Sequence, residues 1–153
     1  MTDAEPLIEA DNLVRRFPNC EALGGVTFQV RRGEIAAILG PNGSGKTTTL
    51  RILATFLAPT AGWARVAGYD TTTHSLEARR CLGYLPENVP LYPEMRVDEY
   101  LTFRGRLKGL RGERLETRLR KVIEQCGLGD FSRRVVGTLS RGFRQRTGLA
   151  DCL

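Results

Sequence analysis

The stretch GPNGSGKT, residues 40–47, constrains this chain more than any other and fits G-x-x-x-x-G-K-[ST] without a mismatch. Phosphates repel one another and need donors that can come close, and glycines at 40, 43 and 45 let successive N–H groups curl into one nest. Upstream, IAAILG (35–40) is a short apolar run without alternation, as expected of a strand buried on both faces. Downstream, Leu50, Ile52, Leu53, Phe56 and Leu57 recur at helical spacing, so a helix begins near Lys46 and aims its positive end at the nest. Lys46 adds a mobile charge for the β- and γ-phosphates, and the Thr47 hydroxyl is a hard oxygen ligand for Mg²⁺. Thr48 is placed to donate to the α-phosphate. The expected ligand is a nucleoside triphosphate with Mg²⁺, cradled by Gly40, Pro41, Asn42, Gly43, Ser44, Gly45, Lys46, Thr47 and Thr48.

The rest of the chain bounds the classes open to such a loop. A length of 153 residues fits one ordinary domain, and 41% hydrophobic with 26% charged residues describes a globular chain rather than a disordered one. No apolar run approaches a membrane span, and the acidic opening MTDAEPLIEA lacks a signal-peptide pattern. Cys20, Cys81, Cys126 and Cys152 match no metal or redox spacing, so they read as reduced, mostly buried thiols of a cytosolic protein. His74 has no partner His or Cys nearby, which argues against a metal role. Charge is uneven: residues 104–146 hold thirteen Lys/Arg against four Asp/Glu. A solvated helical face is favoured over a nucleic-acid or membrane surface there, because aromatics between the cations are nearly absent.

Periodicity sorts the chain into a strand-rich first half and a helical second half. LIEADNLVRRF (7–17) suits an edge strand, GGVTFQV (24–30) a second strand, and APTAGWARVAG (58–68) a turn plus strand. CLGYLPE (81–87) reads as another buried strand. Val97, Tyr100, Leu101, Leu107 and Leu110 form one helical stripe, and Leu115, Leu119, Val122, Ile123 and Cys126 a second, with Gly127 as the stop.

A nucleotide loop alone does not separate a transporter ATPase from a kinase or a GTPase. The order of RRF (15–17), GPNGSGKTT (40–48), GYLPE (83–87) and LSRGFRQR (139–146) resembles the nucleotide-binding domain of ABC transporters along nearly the whole chain, with an ABC-2 exporter flavour. The resemblance implies an α/β fold: an incomplete P-loop NTPase core with an N-terminal antiparallel β segment and a helical subdomain. Its implied divisions are a core at about 1–95, the helical subdomain at about 96–140, and a post-signature helix from 141 to 153. It implies ATP and Mg²⁺ as cofactors, with Phe17 stacking on adenine; a packing role for Phe17 is the alternative. It gives Lys46 and Glu87 catalytic roles, with Thr47 and Glu87 at the metal. Glu87 departs from the family's usual Gln; its carboxylate can ligate Mg²⁺ but adds negative charge near the γ-phosphate, and a solvated loop glutamate is the alternative. The signature reads LSRGF instead of LSGGQ, retaining Ser140 and Gly142. In the family these two act on the nucleotide of the opposite subunit, while a plain helix cap is the alternative for Ser140.

The implied function is the ATP-binding subunit of an ABC transporter, dimerised with a second ATP-binding subunit and coupled to a separate transmembrane permease. Its implied place is cytoplasmic, at the inner face of the membrane. The family continues past its signature helix into an Asp–Glu strand and a histidine switch, which nothing after Gln145 supplies, Asp151 being a poor substitute. The expectation is therefore an N-terminal fragment, poorly competent in hydrolysis alone, with IAAIL left short of neighbouring strands and its apolar surface open. Two alternatives stay open: a catalytically inactive remnant that at most binds nucleotide, and a soluble ABC ATPase acting on nucleic acid. The second finds neither the zinc-type cysteine pairs nor the long heptads of such proteins, so nucleic acid is not the expected partner.

Overall fold

The computed structural model describes residues 5–153, and the chain divides after Leu82 into two compact units. The first is built on a four-stranded antiparallel sheet of order β2-β1-β3-β4, with β1 at Pro6–Phe17, β2 at Cys20–Arg31, β3 at Ala61–Val66 and β4 at Tyr69–Asp70. β1 was expected at an edge but lies inside the sheet, since Ala10 pairs with Phe28 on one side and Ala64 on the other. Its broken alternation has a physical cause. Register shifts and a positive φ of 45° at Asn12 put Ala10 and Leu13, three residues apart, into the same core.

Helix α1, Lys46–Leu53, packs Ile52 and Leu53 onto that core, where Leu13 and Ile52 are fully buried. Each such side chain stabilises the unit by about 1.5–3 kcal/mol. The helical spacing predicted a longer helix, but the chain turns at Thr55, φ 64°. Thr55 N–H donates to Ile52 O and Phe56 N–H reaches back to Arg51 O at 2.8 Å, a left-handed C-terminal turn without glycine. Phe56 is consequently exposed. A short helix α2, Ser75–Arg80, follows β4, and its Ala78 is buried. Ahead of it, Asp70 accepts from the amides of Thr72 and Thr73 at 2.8 and 2.9 Å. Burial alone would raise the Asp70 pKa, but those hydrogen bonds outweigh it and hold the group below its ordinary value.

Two predicted strands are absent. Residues 35–40 belong to no strand among the described residues, and Ile35 and Leu39 are 102% and 88% exposed. The run therefore stands with its apolar surface open, as the alternative expectation for it had it. CLGYLPE also forms no strand: the Cys81 amide closes on Ala78 O at 3.1 Å in the first unit, and residues 83–87 find other contacts in the second. The carbonyl of Glu87 accepts from the Gln145 side-chain amide at 2.6 Å. Leu85 and Val89 crowd Gly148, where an added Cβ would stand 2.4 Å from a Val89 methyl. The segment is an extended loop laid along a helix.

That helix is α5, Arg141–Cys152, which joins α3 (Val97–Leu107) and α4 (Gly112–Gln125) in the second unit. The two predicted stripes supply its core: Val97, Tyr100, Leu101, Val122 and Cys126 are buried with Leu128, Val136, Leu139 and Ala150. α3 starts where Glu99 accepts the Arg96 N–H at 2.9 Å, reaching back one turn. The chain before α3 is stitched to the chain before α5, Val97 N–H donating to Arg134 O and Val136 N–H to Met95 O. Of the four cysteines, expected mostly buried, Cys126 is buried, Cys152 half-buried, and Cys20 and Cys81 exposed; all are free thiols. Burial pushes the Cys126 and Cys152 thiols above their ordinary pKa, so both are poor nucleophiles.

Candidate functional site: the Gly40–Thr48 loop and its satellites

The nest is shaped by backbone conformations that only glycine adopts cheaply. Gly43 and Gly45 have φ of 84° and 87°. Gly45 is also pressed against the β1–β2 hairpin, since a Cβ there would stand 2.4 Å from the Leu23 methyl and 2.5 Å from Ala22 O. Gly45 is the N-cap of α1 and brings no side chain to satisfy the helix's first amides. The ladder opens with Thr49 N–H on Gly45 O at 2.8 Å, which leaves the N–H groups of Lys46, Thr47 and Thr48 projecting from the helix end. The first turn carries no acidic residue, and none occurs anywhere in 40–53. Lys46 folds back so that Nζ donates to the carbonyls of Gly40 and Pro41 at 2.7 and 2.6 Å. Free amides, a helix's positive end and a lysine beside them suit a polyanion, so the donor set fits a polyphosphate. Pro41, Asn42, Ser44 and Thr47 are exposed at this loop, and the Ser44 amide closes a turn on Pro41 O at 3.3 Å.

Phe17 lies in the same unit at the end of β1, opposite Cys20 across the two-residue turn, and is 36% exposed. At that exposure it is no core residue, and the packing alternative is left as edge packing. The Arg15 guanidinium lies over its ring, 4.7 Å from the centroid.

Glu87, Ser140 and Gly142 belong to the second unit. Glu87 is an exposed side chain 3.8 Å from Arg141, its main chain tied to Gln145. Arg141 and Gln145 are one turn apart on α5, so both departures from the usual family pattern, Glu87 and Arg141, meet. Ser140 caps α5, with Oγ accepting the Phe143 amide at 3.4 Å. Gly142 follows in the first turn, where a Cβ would meet only Ser140 Oγ at an ordinary 3.9 Å. Among the described residues nothing requires glycine at 142. Phe143, the other signature departure, stacks on Phe131 with ring centroids 3.7 Å apart. The Arg134 and Arg146 guanidinia cover the Phe131 and Phe143 rings at 4.9 and 5.4 Å, making a four-layer stack that fixes the start of α5.

Asp151 has partners of its own: both carboxylate oxygens accept from Arg104 Nε at 3.0 Å, and Lys108 lies 3.2 Å away. Tyr100 hydroxyl reaches the same carboxylate at 3.4 Å, and burial first, then the Asp151 charge, push its pKa to about 12. No cluster of three or more His, Cys, Asp or Glu among the described residues could hold a metal ion, and no described helix is long and apolar enough to cross a membrane. Arg15 and Gln145 were not singled out from sequence; the first lies inside RRF and the second inside LSRGFRQR, where only their contacts reveal them.

The family model described as ABC transporter matches residues 23–153. The chain is 37% identical over 147 residues to the ABC transporter ATP-binding protein YxlF of Bacillus subtilis, covering 96% of this chain and 48% of that one. It is 37% identical over 143 residues to the daunorubicin/doxorubicin resistance ATP-binding protein DrrA of Streptomyces peucetius, covering 94% and 43%. The chain thus spans about half the length of the curated relatives it matches. A solved ATP-binding subunit of an ABC transporter superposes with a TM-score of 0.84 at 29% identity, covering 95% of this chain and 61% of that one. The cbiO1 structure from Clostridium perfringens, part of the cbiONQ transporter complex, has the same TM-score at 21% identity, covers 96% and 61%, and speaks to fold alone. On its family match and on these relatives, the chain belongs to the family of ABC transporter ATP-binding subunits.

Proposed function

We propose that this chain binds Mg²⁺–ATP in the Gly40–Thr48 loop and serves as the ATP-binding part of an ABC transporter, acting with a separate membrane subunit. The observation that carries the reading is the uncapped N-terminus of α1, with Gly45 at φ 87° and Lys46 beside the loop. The amides of 46–48 hold phosphate oxygens, and Lys46 leaves the Gly40 and Pro41 carbonyls to neutralise them. The Thr47 hydroxyl supplies an oxygen to Mg²⁺, and Phe17 offers a ring face to the base. Bound Mg²⁺–ATP supplies a phosphoanhydride whose hydrolysis releases the energy for transport. Glu87 is the residue assigned to the metal and the water, its charge moderated by Arg141.

Ser140 and Gly142 are assigned to the nucleotide of a second ATP-binding subunit. Gly142 supports this, because no contact among the described residues explains a glycine there. Drug resistance, which the DrrA relative's name states, is the function class proposed for the chain. Asp151, held by Arg104 and Lys108, is assigned no part in hydrolysis.

Equilibrium titration with ATP and Mg²⁺ tests the reading. Wild type binds saturably, and Lys46→Ala weakens binding by at least about tenfold through loss of charge-assisted bonds. Equal affinity in the two proteins sinks the assignment of the loop.

A further inference from the structure

We propose that Arg15 is a positioning residue for the nucleotide base: it backs one face of the Phe17 ring and holds that ring in register with the chain leaving helix α1. The inference rests on the reading that Phe17 stacks on the base. Arg15 and Phe17 are two apart on β1, across a register shift between Arg15 and Arg16, and it is their contact that brings them together. The Arg15 guanidinium plane lies over the ring at 4.7 Å from its centroid. It is not a loose surface cation. One of its terminal nitrogens donates to Ala58 O at 2.9 Å, 43 residues away, and its Nε is buried with no hydrogen-bond partner among the described residues.

That buried, unpartnered Nε is the informative detail. Leaving a charged donor unsatisfied is costly, and no bond made by Nε offsets it. What holds the group in this pose is the ring beneath it together with Ala58. Ala58 stands in the connection between α1, whose N-terminus forms the phosphate nest, and β3. The neighbouring Thr60 closes the same connection onto β1, its amide on Val14 O at 2.7 Å and its hydroxyl accepting the Arg16 amide at 3.0 Å. Arg15 therefore ties the aromatic platform to the element that carries the phosphate cradle.

A cation over one face draws electron density from the ring, and the face left free stacks better on an electron-rich purine. Fixing the ring also removes rotamer freedom that base binding would otherwise have to freeze. Both effects act on the base and neither touches the phosphates. Arg16, next in sequence, is excluded from this role because its guanidinium is paired with Glu21 at 2.7 Å.

The test separates base from phosphate by titrating the whole chain, with Mg²⁺, against ATP and against inorganic tripolyphosphate. Arg15→Ala should weaken ATP binding by about two- to fivefold and leave tripolyphosphate unchanged. Phe17→Ala should weaken ATP by about tenfold, again sparing tripolyphosphate, and adding Arg15→Ala to it should change nothing more. Arg15→Lys, which keeps the charge but not the plane, should give a smaller selective loss, and it carries the test if the alanine variant fails to fold. An Arg15 effect equal on both ligands, or persisting without Phe17, overturns the proposal and makes Arg15 a structural residue. No effect of Phe17→Ala on ATP overturns the stacking reading and this inference with it. A selective Phe17 effect beside a silent Arg15 overturns this inference alone.

Discussion

The two units of the chain use their apolar residues in opposite ways. In residues 83–153 the helical stripes close on one another, and Val97, Tyr100, Leu128 and Val136 are at most 2% exposed. In residues 5–82 the sheet core is small, and the apolar run ahead of the phosphate loop lies outside it, with Ile35 fully exposed. The first unit carries the proposed phosphate site on a loop set by glycine backbone, while the second is held by its buried helical stripes. A nest of amides needs little buried area to keep its shape, because its φ values and one helix end define it. The difference is one of where order comes from: local backbone geometry in one unit, side-chain packing in the other.

The contrast can be broken most directly by mutation in each unit. Leu128→Ala, at a fully buried site, should cost about 2–5 kcal/mol in urea unfolding. Ile35→Ser should stay within about 0.5 kcal/mol and improve solubility. Comparable losses would show that the 35–40 run is packed in solution and end the comparison. Gly45→Ala comes next, since it meets both a positive φ and the Leu23 methyl; a loss of about 1–3 kcal/mol is expected, with weaker ATP binding. Gly43→Ala, at a similar φ but with open space around it, should cost about 1 kcal/mol and so sharpen the split between strain and crowding.

The pH dependence comes from the packed unit. Folding raises the Tyr100 pKa from 10.0 to about 12, so the folded chain keeps that proton longer than the unfolded one. Its contribution is complete below pH 10 and is lost as pH climbs through about 12. Tyr100→Phe should flatten the alkaline limb of the stability curve over that window, and an unchanged limb would mean that Tyr100 does not titrate with a raised pKa. The smallest effect belongs to Arg141→Ala: its partner Glu87 is 3.8 Å away and both side chains are mostly exposed. Stability should move by less than about 0.5 kcal/mol, leaving any change in ATP hydrolysis to be read as function.

Legibility in the sequence follows the same division. The helices of the second unit were readable because 3.6-residue periodicity is a local property, and α3 and α4 fall on the two stripes. The shape of the Gly40–Thr48 loop was readable for a related reason, as its glycines encode backbone conformation directly. Strands were less so. An apolar run such as 35–40 encodes only a preference for burial, and pairing depends on what lies beside it. GYLPE has the composition of a buried strand, yet it is held by one glutamine amide and by the space that Gly148 leaves, two long-range facts that no window of sequence contains. Thr55 ended α1 in a conformation normally given to glycine, so the turn carried no compositional mark. The pairing of Glu87 with Arg141 was visible only as two separate departures from a pattern until the fold brought them together.

The lysine of the phosphate loop has a consequence for how affinity is measured. With Nζ donating to two carbonyls of its own loop, those carbonyls compete with a phosphate oxygen for Lys46 in the proposed site. Binding is then an exchange reaction, in which two neutral acceptors give way to an anionic one, and the measured constant is a difference between two bonded states. A ligand with more negative charge gains on this exchange, while one with less is screened out before any contact with the base is made. On the proposed reading, the loop grades ligands by charge first and the Phe17 ring sorts what remains.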